Sequence, residues 1–466
     1  MKIMNKTSFR QWVLMLAGAA GLAGLMTGCG IYSSYSRPDD LQVDGLYGEP
    51  AANADTVSIA DIAWYDFFTD PYLQDLIDSA LVRNADMRIA FLRVEESEAS
   101  LKAAKLAFIP SFGLPLQGSV GGSISFDGGV SAGAPAYSYQ LPISASWQVD
   151  LFGGLRNAKK QAQAGLLQMQ AYRQAVRTQL ISNMAILYYK LVTLDEQLNI
   201  YTLTKQSWEE SLEATRALME AGIGNTAAVA QSEGAYYSVC ASIPNIQQQI
   251  RETENQICAL LGITPRHIAR GPMPVMIFTN DLRVGIPISL LSRRPDVMQA
   301  EQALARAFYV TNAARSAFYP SLSLKGLIGW QGGAAAIWNA VANLTQPIFQ
   351  NGKLTAQLKI AKAQQEEAKI SFQQTLLEAG MEVNNALALV QSTRERSLLY
   401  DKQVTSLGVA AESTRLLMEH GSTTYLEVLA AQQALLSAQL TSVSNRLNEW
   451  TAVVTLYRAL GGGSLD

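Results

Sequence analysis

"YSYQLPISASWQVDL", residues 137–151, decides how this chain is read. Its odd positions are Tyr137, Tyr139, Leu141, Ile143, Ala145, Trp147, Val149 and Leu151. Its even positions are Ser138, Gln140, Pro142, Ser144, Ser146, Gln148 and Asp150. Such sorting has period two, that of a strand with one apolar and one polar face. The run just upstream alternates with the opposite parity. Leu114, Leu116, Val120, Ile124 and Phe126 face one way, and Gln117, Ser119, Ser123 and Ser125 the other. Further on, Leu322, Leu324, Ile328 and Trp330 alternate with Ser321, Ser323, Lys325 and Gln331. A fourth run, about 337–349, is less regular.

A membrane-crossing strand needs only about 9–11 residues, and apolar-out, polar-in alternation is the mark of a membrane barrel. No run of 18 or more apolar residues follows the N-terminal leader, so a helical span is not expected. Four strands cannot close a barrel, because the smallest bacterial ones have about eight. An open edge in lipid leaves backbone groups unsatisfied. Several chains must therefore pool strands, and three chains give twelve.

The remaining segments have coiled-coil spacing. Leu436, Leu440, Val443, Leu447, Trp450, Val454 and Tyr457 recur in steps of four and three, as do Ile243, Ile246, Ile250, Thr253, Ile257 and Leu260. Steps averaging 3.5 residues keep one seam on a partner helix. The stretches 155–220 and 354–419 hold no proline, and each spans on the order of 100 Å if unbroken. Both break at short polar words, "GIGNT" and "GSTT", 199 residues apart. Gly222 matches Gly421 at that offset, as do Leu261-Gly262 and Leu460-Gly461, and Ala162 and Ala164 match Ala361 and Ala363. "FIPS" at 108–111 matches "FYPS" at 318–321, offset by 210. The chain is thus one plan written twice.

These readings predict a signal peptide at 1–28 and a lipid-anchored segment at 29–70. The first repeat follows at 71–262, with strands 112–126 and 137–152 and a helical hairpin 155–262. A proline-rich linker, 263–292, joins it to the second repeat at 293–461, with strands 320–331 and 337–349 and a hairpin 354–461. A tail, 462–466, ends the chain. The expected fold class is a mixed membrane β-barrel and long α-helical coiled-coil barrel. It has four strands and helical hairpins per chain in two tandem repeats and closes only as a trimer, with a 12-stranded β-barrel and a 12-strand α-barrel.

The leader carries Lys2, Lys6 and Arg10, then an apolar run ending in "MTGC". Cys29 is the expected lipidation site. Gly30 follows it where an inner-membrane retention signal would have Asp, which points to the outer membrane. Removing the leader leaves 33 basic against 39 acidic residues, so nucleic acid is not an expected partner. Cys240 and Cys258 lie about 27 Å apart on a continuous helix, too far for a disulfide. His267 and His420 sit in no metal-ligand spacing. No nucleophile elbow or phosphate loop occurs, so no catalysis, cofactor or metal is expected.

"WYDFFTDPYLQDLIDSAL" (64–81), "RNADMRIAFLRVEESEASLKAAKLAFIPS" (83–111), "SRRPDVMQAEQALARAFYVTNAARSAFYPSLSL" (292–324) and "GSTTYLEVLAAQQALLSAQ" (421–439) resemble, in order and spacing, the TolC-like outer-membrane efflux channel family. The lipoprotein branch of that family is the nearest match. The resemblance implies a homotrimeric passive conduit from the outer membrane into the periplasm. A periplasmic membrane-fusion adaptor and an inner-membrane proton-driven pump are the implied partners, together with outer-membrane lipid. The hairpin tips Gly222, Gly224, Asn225, Thr226, Gly421, Ser422 and Thr423 are the implied adaptor contacts. The family's inner hairpin closes the channel with acidic rings. On that pattern Glu427 takes the first acidic position, while Ala430 takes the second, so that ring is missing. Met418 and Thr423 occupy the places of the family's tyrosine–arginine lock. A gate of Leu426, Glu427, Leu429 and Ala430 is the resulting expectation.

The barrel lumen is expected to hold Gln140, Ser144, Gln148, Asp150 and Lys325, small or polar and of mixed sign, with substrate choice left to the pump. A conduit for type I protein secretion and a pore-free lipoprotein scaffold are the competing readings. The four alternating strands argue against the scaffold, and "MTGC" with "RRPD" resembles the branch of the family paired with proton-driven drug or metal pumps, which implies efflux of drugs, metals or other small molecules.

Overall fold

The computed structural model describes residues 33–38, 62–121, 124–125, 131–132, 136–273, 294–331 and 335–463. The leader, Cys29, most of the linker and the end of the tail lie outside those residues. The elements run α1 (Trp64–Phe67), α2 (Pro71–Arg83), α3 (Ala85–Leu106), β1 (Ser111–Gly113), β2 (Gln117–Gly121), β3 (Ile124–Ser125), β4 (Ser131–Ala132) and β5 (Ala136–Val149). The hairpin of α4 (Gly154–Glu220) and α5 (Thr226–Leu261) follows. Then come α6 (Pro295–Ser316), β6 (Ser321–Gln331), β7 (Ala335–Thr345), α7 (Lys353–Glu419) and α8 (Tyr425–Ala459). The two 67-residue helices, α4 and α7, start and stop 199 residues apart, and α3 and α6 are offset by 210. No described helix is long and apolar enough to cross a membrane.

The chain groups into two units, each taken by itself. One comprises Met1–Asp39, Leu101–Ala162 and Ala305–Glu366 and holds the sheet. β1 and β2 both pair with β5, β5 with β6 and β6 with β7, all antiparallel. The ladders set Leu141 opposite Trp330, Ile143 opposite Ile328 and Trp147 opposite Leu324, and then Ile328 opposite Trp338 and Leu322 opposite Leu344. Every apolar row therefore lands on one face. That face is bare in the single chain: Trp338 is 80% exposed, Tyr137 76% and Phe112 75%.

The strand expected over 112–126 is interrupted. β1 and β2 share one register on β5, since Gly113 faces Ser144 and Gln117 faces Gln140. That register sets Pro115, in the gap, opposite Pro142. Neither has an N–H to give, so the ladder opens there. The strand expected over 137–152 ends at Val149, and the one expected over 337–349 runs Ala335–Thr345.

The other unit comprises Asp40–Ser100, Gln163–Leu304 and Glu367–Asp466. Its core joins α1 and α2 to the middle of α4, the end of α5, the middle of α7 and the end of α8. On α7 a seam of buried residues, Phe372, Leu376, Ala379, Val383, Ala386, Val390 and Thr393, recurs in alternating steps of four and three. Asn445 on α8 donates to Thr393 O (3.0 Å) and Ser397 Oγ (2.8 Å), pinning that seam. Phe67 stacks on Tyr457 with centroids 4.0 Å apart. The Tyr457 hydroxyl donates to Ile62 O, and burial pushes its pKa up to about 12. Cys240 is half-buried and Cys258 buried, both free.

Candidate functional site

The two hairpin tips share one backbone device. At the first, Gly222 N–H donates to Met219 O and Ile223 N–H to Leu218 O. At the second, Gly421 N–H donates to Met418 O and Ser422 N–H to Leu417 O. This paired closure needs a left-handed residue just past the helix, and Gly222 and Gly421 supply φ values of 77° and 70°. Gly224 is glycine for a different reason: a Cβ there would lie 3.0 Å from Met219 N. The return helices begin differently. Asn225 Oδ1 caps α5 by accepting from Ala228 N–H at 2.9 Å. Thr424 makes no side-chain cap on α8. Gly222, Gly224, Asn225, Thr226, Gly421 and Ser422 are exposed and Thr423 half-buried.

The expected gate residues occupy the first turns of α8. Leu426, Glu427 and Ala430 are exposed, Leu429 is half-buried, and Val428 between them is fully buried. The Glu427 carboxylate accepts a hydrogen bond from the Thr423 hydroxyl. It therefore ties the tip to α8 besides presenting charge.

On the sheet, Gln140, Ser144, Gln148 and Lys325 lie on the face opposite the apolar rows. Asp150 does not lie on that strand. It follows the end of β5, and its carboxylate accepts from Leu155 N–H and Arg156 N–H, both at 3.0 Å. It also pairs with the Arg156 guanidinium at 3.2 Å. Asp150 caps α4, the role its place just before a helix would suggest.

The "RRPD" segment has a long-range structural use. Arg294 is buried and donates from Nη1 to Ala459 O at 2.5 Å, near the end of α8. Its Nε and Nη2 grip Asp296 at 3.1 and 2.7 Å, and Nη2 reaches Glu382 at 2.7 Å. Arg458 holds the other oxygen of Glu382 at 2.6 Å. The first half has a neutral counterpart: Asn84 donates to Leu260 O at 2.9 Å, near the end of α5, while accepting from Met87 N–H at 3.1 Å. A second cluster clamps the start of the linker. Arg270 grips Asp195 through Nε (2.5 Å) and Nη2 (2.8 Å) and reaches Glu254 at 2.5 Å. Burial would raise the Glu254 pKa, but Arg270 and the Ile268 N–H outweigh it and hold the carboxyl below its usual value. The exposed His267 also meets Glu254 at 2.8 Å. Nothing in the spacing of these residues foretold either cluster.

The Outer membrane efflux protein family model matches residues 76–263 and 286–462. The chain belongs to that family. Among this efflux protein's relatives, the "Cation efflux system protein CusC" of Escherichia coli K12 is 30% identical over 461 residues, covering 94% of this chain and 97% of CusC. The "Probable outer membrane lipoprotein SilC" of Salmonella typhimurium is 28% identical, covering 97% and 98%. The solved outer-membrane channel OprN superposes with a TM-score of 0.85 at 25% identity, covering 94% of this efflux protein and all of OprN. A CusC structure gives 0.83 at 28%, covering 93% and 100%. The protein is an outer-membrane efflux component with the fold of these channels.

Proposed function

We propose that three copies of this chain form a passive conduit that takes small molecules or metal ions from an inner-membrane pump, through a periplasmic adaptor, to the exterior. The observation that carries this reading is the sheet. Its two outer positions, β1 with β2 and β7, are edges, and one whole face is exposed and apolar. For a lone chain the apolar face is not tolerable in water, nor the open edges in lipid. Three such sheets joined edge to edge leave no edge. Tyr137 and Trp147 are ten residues apart on the apolar face of β5. With strands tilted about 40°, that separation spans a band of roughly 25 Å between aromatic rows.

The tips, small and polar, suit an adaptor. The exposed Leu426, Glu427 and Ala430, with Leu429, suit a constriction at the periplasmic end. A lipid on Cys29 suits the chain's course: Tyr35 packs edge-on against Phe308 at 5.8 Å, and six residues upstream of it reach at most about 20 Å. The name of CusC, a cation efflux system protein, agrees with an efflux role, and that of SilC, a probable outer membrane lipoprotein, with a lipid on Cys29.

The deciding experiment is the mass of the particle extracted from outer membranes in mild detergent, with detergent and lipid subtracted. Three chains per particle are expected, and a stable monomer would remove the shared barrel. For the gate, Glu427→Gln is expected to change single-channel conductance and its pH dependence. Unchanged traces would leave Glu427 only its bond to Thr423.

A further inference from the structure

We infer that Lys325, repeated by three chains around the barrel, is a selectivity-determining residue of the passage that favours anions and neutral molecules over cations. The inference rests on the conduit proposed above. The sequence suggested a lumen of mixed sign because Asp150 was counted on the same strand as Gln148. With Asp150 engaged in the cap of α4 and paired with Arg156, the sign is no longer mixed. Among the described strands β1 to β7, Lys325 is the one charged residue.

Its surroundings leave the charge unneutralised. Lys325 is exposed, and its direct cross-strand partners are Ser146 on β5 and Val341 on β7. The diagonal neighbours on the same face are Ser144 and Gln148 on one side and Asn339 and Asn343 on the other. All four carry hydroxyls or amides, which hydrogen-bond an anion as readily as a cation and so leave the choice of sign to the ammonium. None of the salt bridges among the described residues includes Lys325.

The dimensions make the charge effective. A twelve-stranded barrel with about 4.8 Å between strands and a tilt near 40° has its axis roughly 12 Å from each Cα. An extended lysine covers about half of that. Three ammonium groups then lie within about one Debye length of the axis, ~8 Å at physiological ionic strength. Screened over that distance in water, three unit charges enrich an anion about threefold and deplete a cation comparably. A bare metal cation meets this ring as a barrier, whereas a carboxylate, a phosphate-bearing molecule or an anionic complex meets it as an attraction.

The test is the reversal potential of the full-length lipoprotein in planar bilayers across a KCl gradient. Relative to the wild type, Lys325→Gln is expected to lower the chloride-to-potassium permeability ratio about ninefold near 0.1 M salt, and Lys325→Glu to lower it further. Lys325→Arg keeps the wild-type ratio. The difference between wild type and Lys325→Gln should vanish near 1 M salt, where screening shortens to about 3 Å. Val341→Glu, which sets a carboxylate opposite the ammonium, gives a second route to neutralisation should the Lys325 variants fail to insert. Channels that conduct with the wild-type ratio in every variant overturn this inference and leave the conduit standing. A protein that conducts nothing even when Leu426→Ala and Leu429→Ala widen the proposed constriction overturns the conduit and the ring together.

Discussion

Gly329→Val is expected to strip assembled protein from the outer membrane. A Cβ at Gly329 would lie 2.3 Å from Leu141 O and 2.4 Å from Pro142 Cα. Both are backbone atoms of β5, so no side chain can swing aside. The only relief is separation of β5 from β6, a ladder running from Gln140 opposite Gln331 to Val149 opposite Leu322. That ladder is what joins the strands of the first repeat to those of the second. Forcing extra carbons into a filled site costs about 1–3 kcal/mol when neighbours can adjust, and here the neighbour is main chain. Trimer recovered from outer-membrane fractions should fall at least about tenfold, the equivalent of ~1.4 kcal/mol. Gly326→Ala is the control, because its nearest neighbour would be the Ala145 Cβ at 4.0 Å. Its yield should stay near that of the wild type. Valine at 329 assembling normally would mean that the two strands do not approach so closely.

Arg294→Ala is expected to cost about 1–3 kcal/mol of stability, because Arg294 is buried and bonds a main-chain carbonyl while its carboxylate partners Asp296 and Glu382 are partly solvated. The change strands the Ala459 carbonyl and leaves Asp296 without its cation, while Arg458 still holds Glu382. Lysine should rescue little, since a point charge cannot replace a fork gripping three groups. Acid dependence gives a sharper readout than the melting temperature alone. Burial would raise the pKa of Asp296, but the hydrogen bonds and charge of Arg294 hold it below its usual 3.8. A carboxylate depressed on folding stabilises the protein above its unfolded pKa, and that contribution is lost as pH falls through the folded value. The wild type should therefore lose melting temperature between about pH 5 and pH 2. Arg294→Ala, already deprived of the pair, should lose less over the same interval. Parallel curves would place the stabilising role elsewhere.

What the sequence made legible was whatever repeats locally. The alternation in 137–151 reflects a face that must be apolar at every second residue, and no helix mimics that. The two hairpins stood out because their breaks need glycine at matching places. The irregular fourth strand has a physical cause. On the apolar face β7 carries Ala336, Trp338, Ala340, Ala342 and Leu344, with Ala340 opposite Gly326. Small residues fill that row, while Ile337 and Val341 stand on the polar face, so the pattern blurs. The interruption after β1 was visible in principle at Pro115, but its meaning depends on Pro142 across the ladder. Asp150 was misread because a cap and a strand end leave the same letter in the same place. Arg294 and Arg270 were beyond reach, since their partners lie up to 165 residues away.

The gap at Leu114–Leu116 resumes its pairing as though nothing had happened, with three residues on one strand set against three on the other. Equal counts mean that the excursion holds no slack. One inserted residue would have to be absorbed as a bulge that bends the strand, or it would turn Val120 from the apolar face to the polar one. Two inserted residues would do neither. Across lineages, length changes at this point should therefore be tolerated in twos and purged in ones, so that a stretch without ladder bonds stays as tightly counted as the strands it separates.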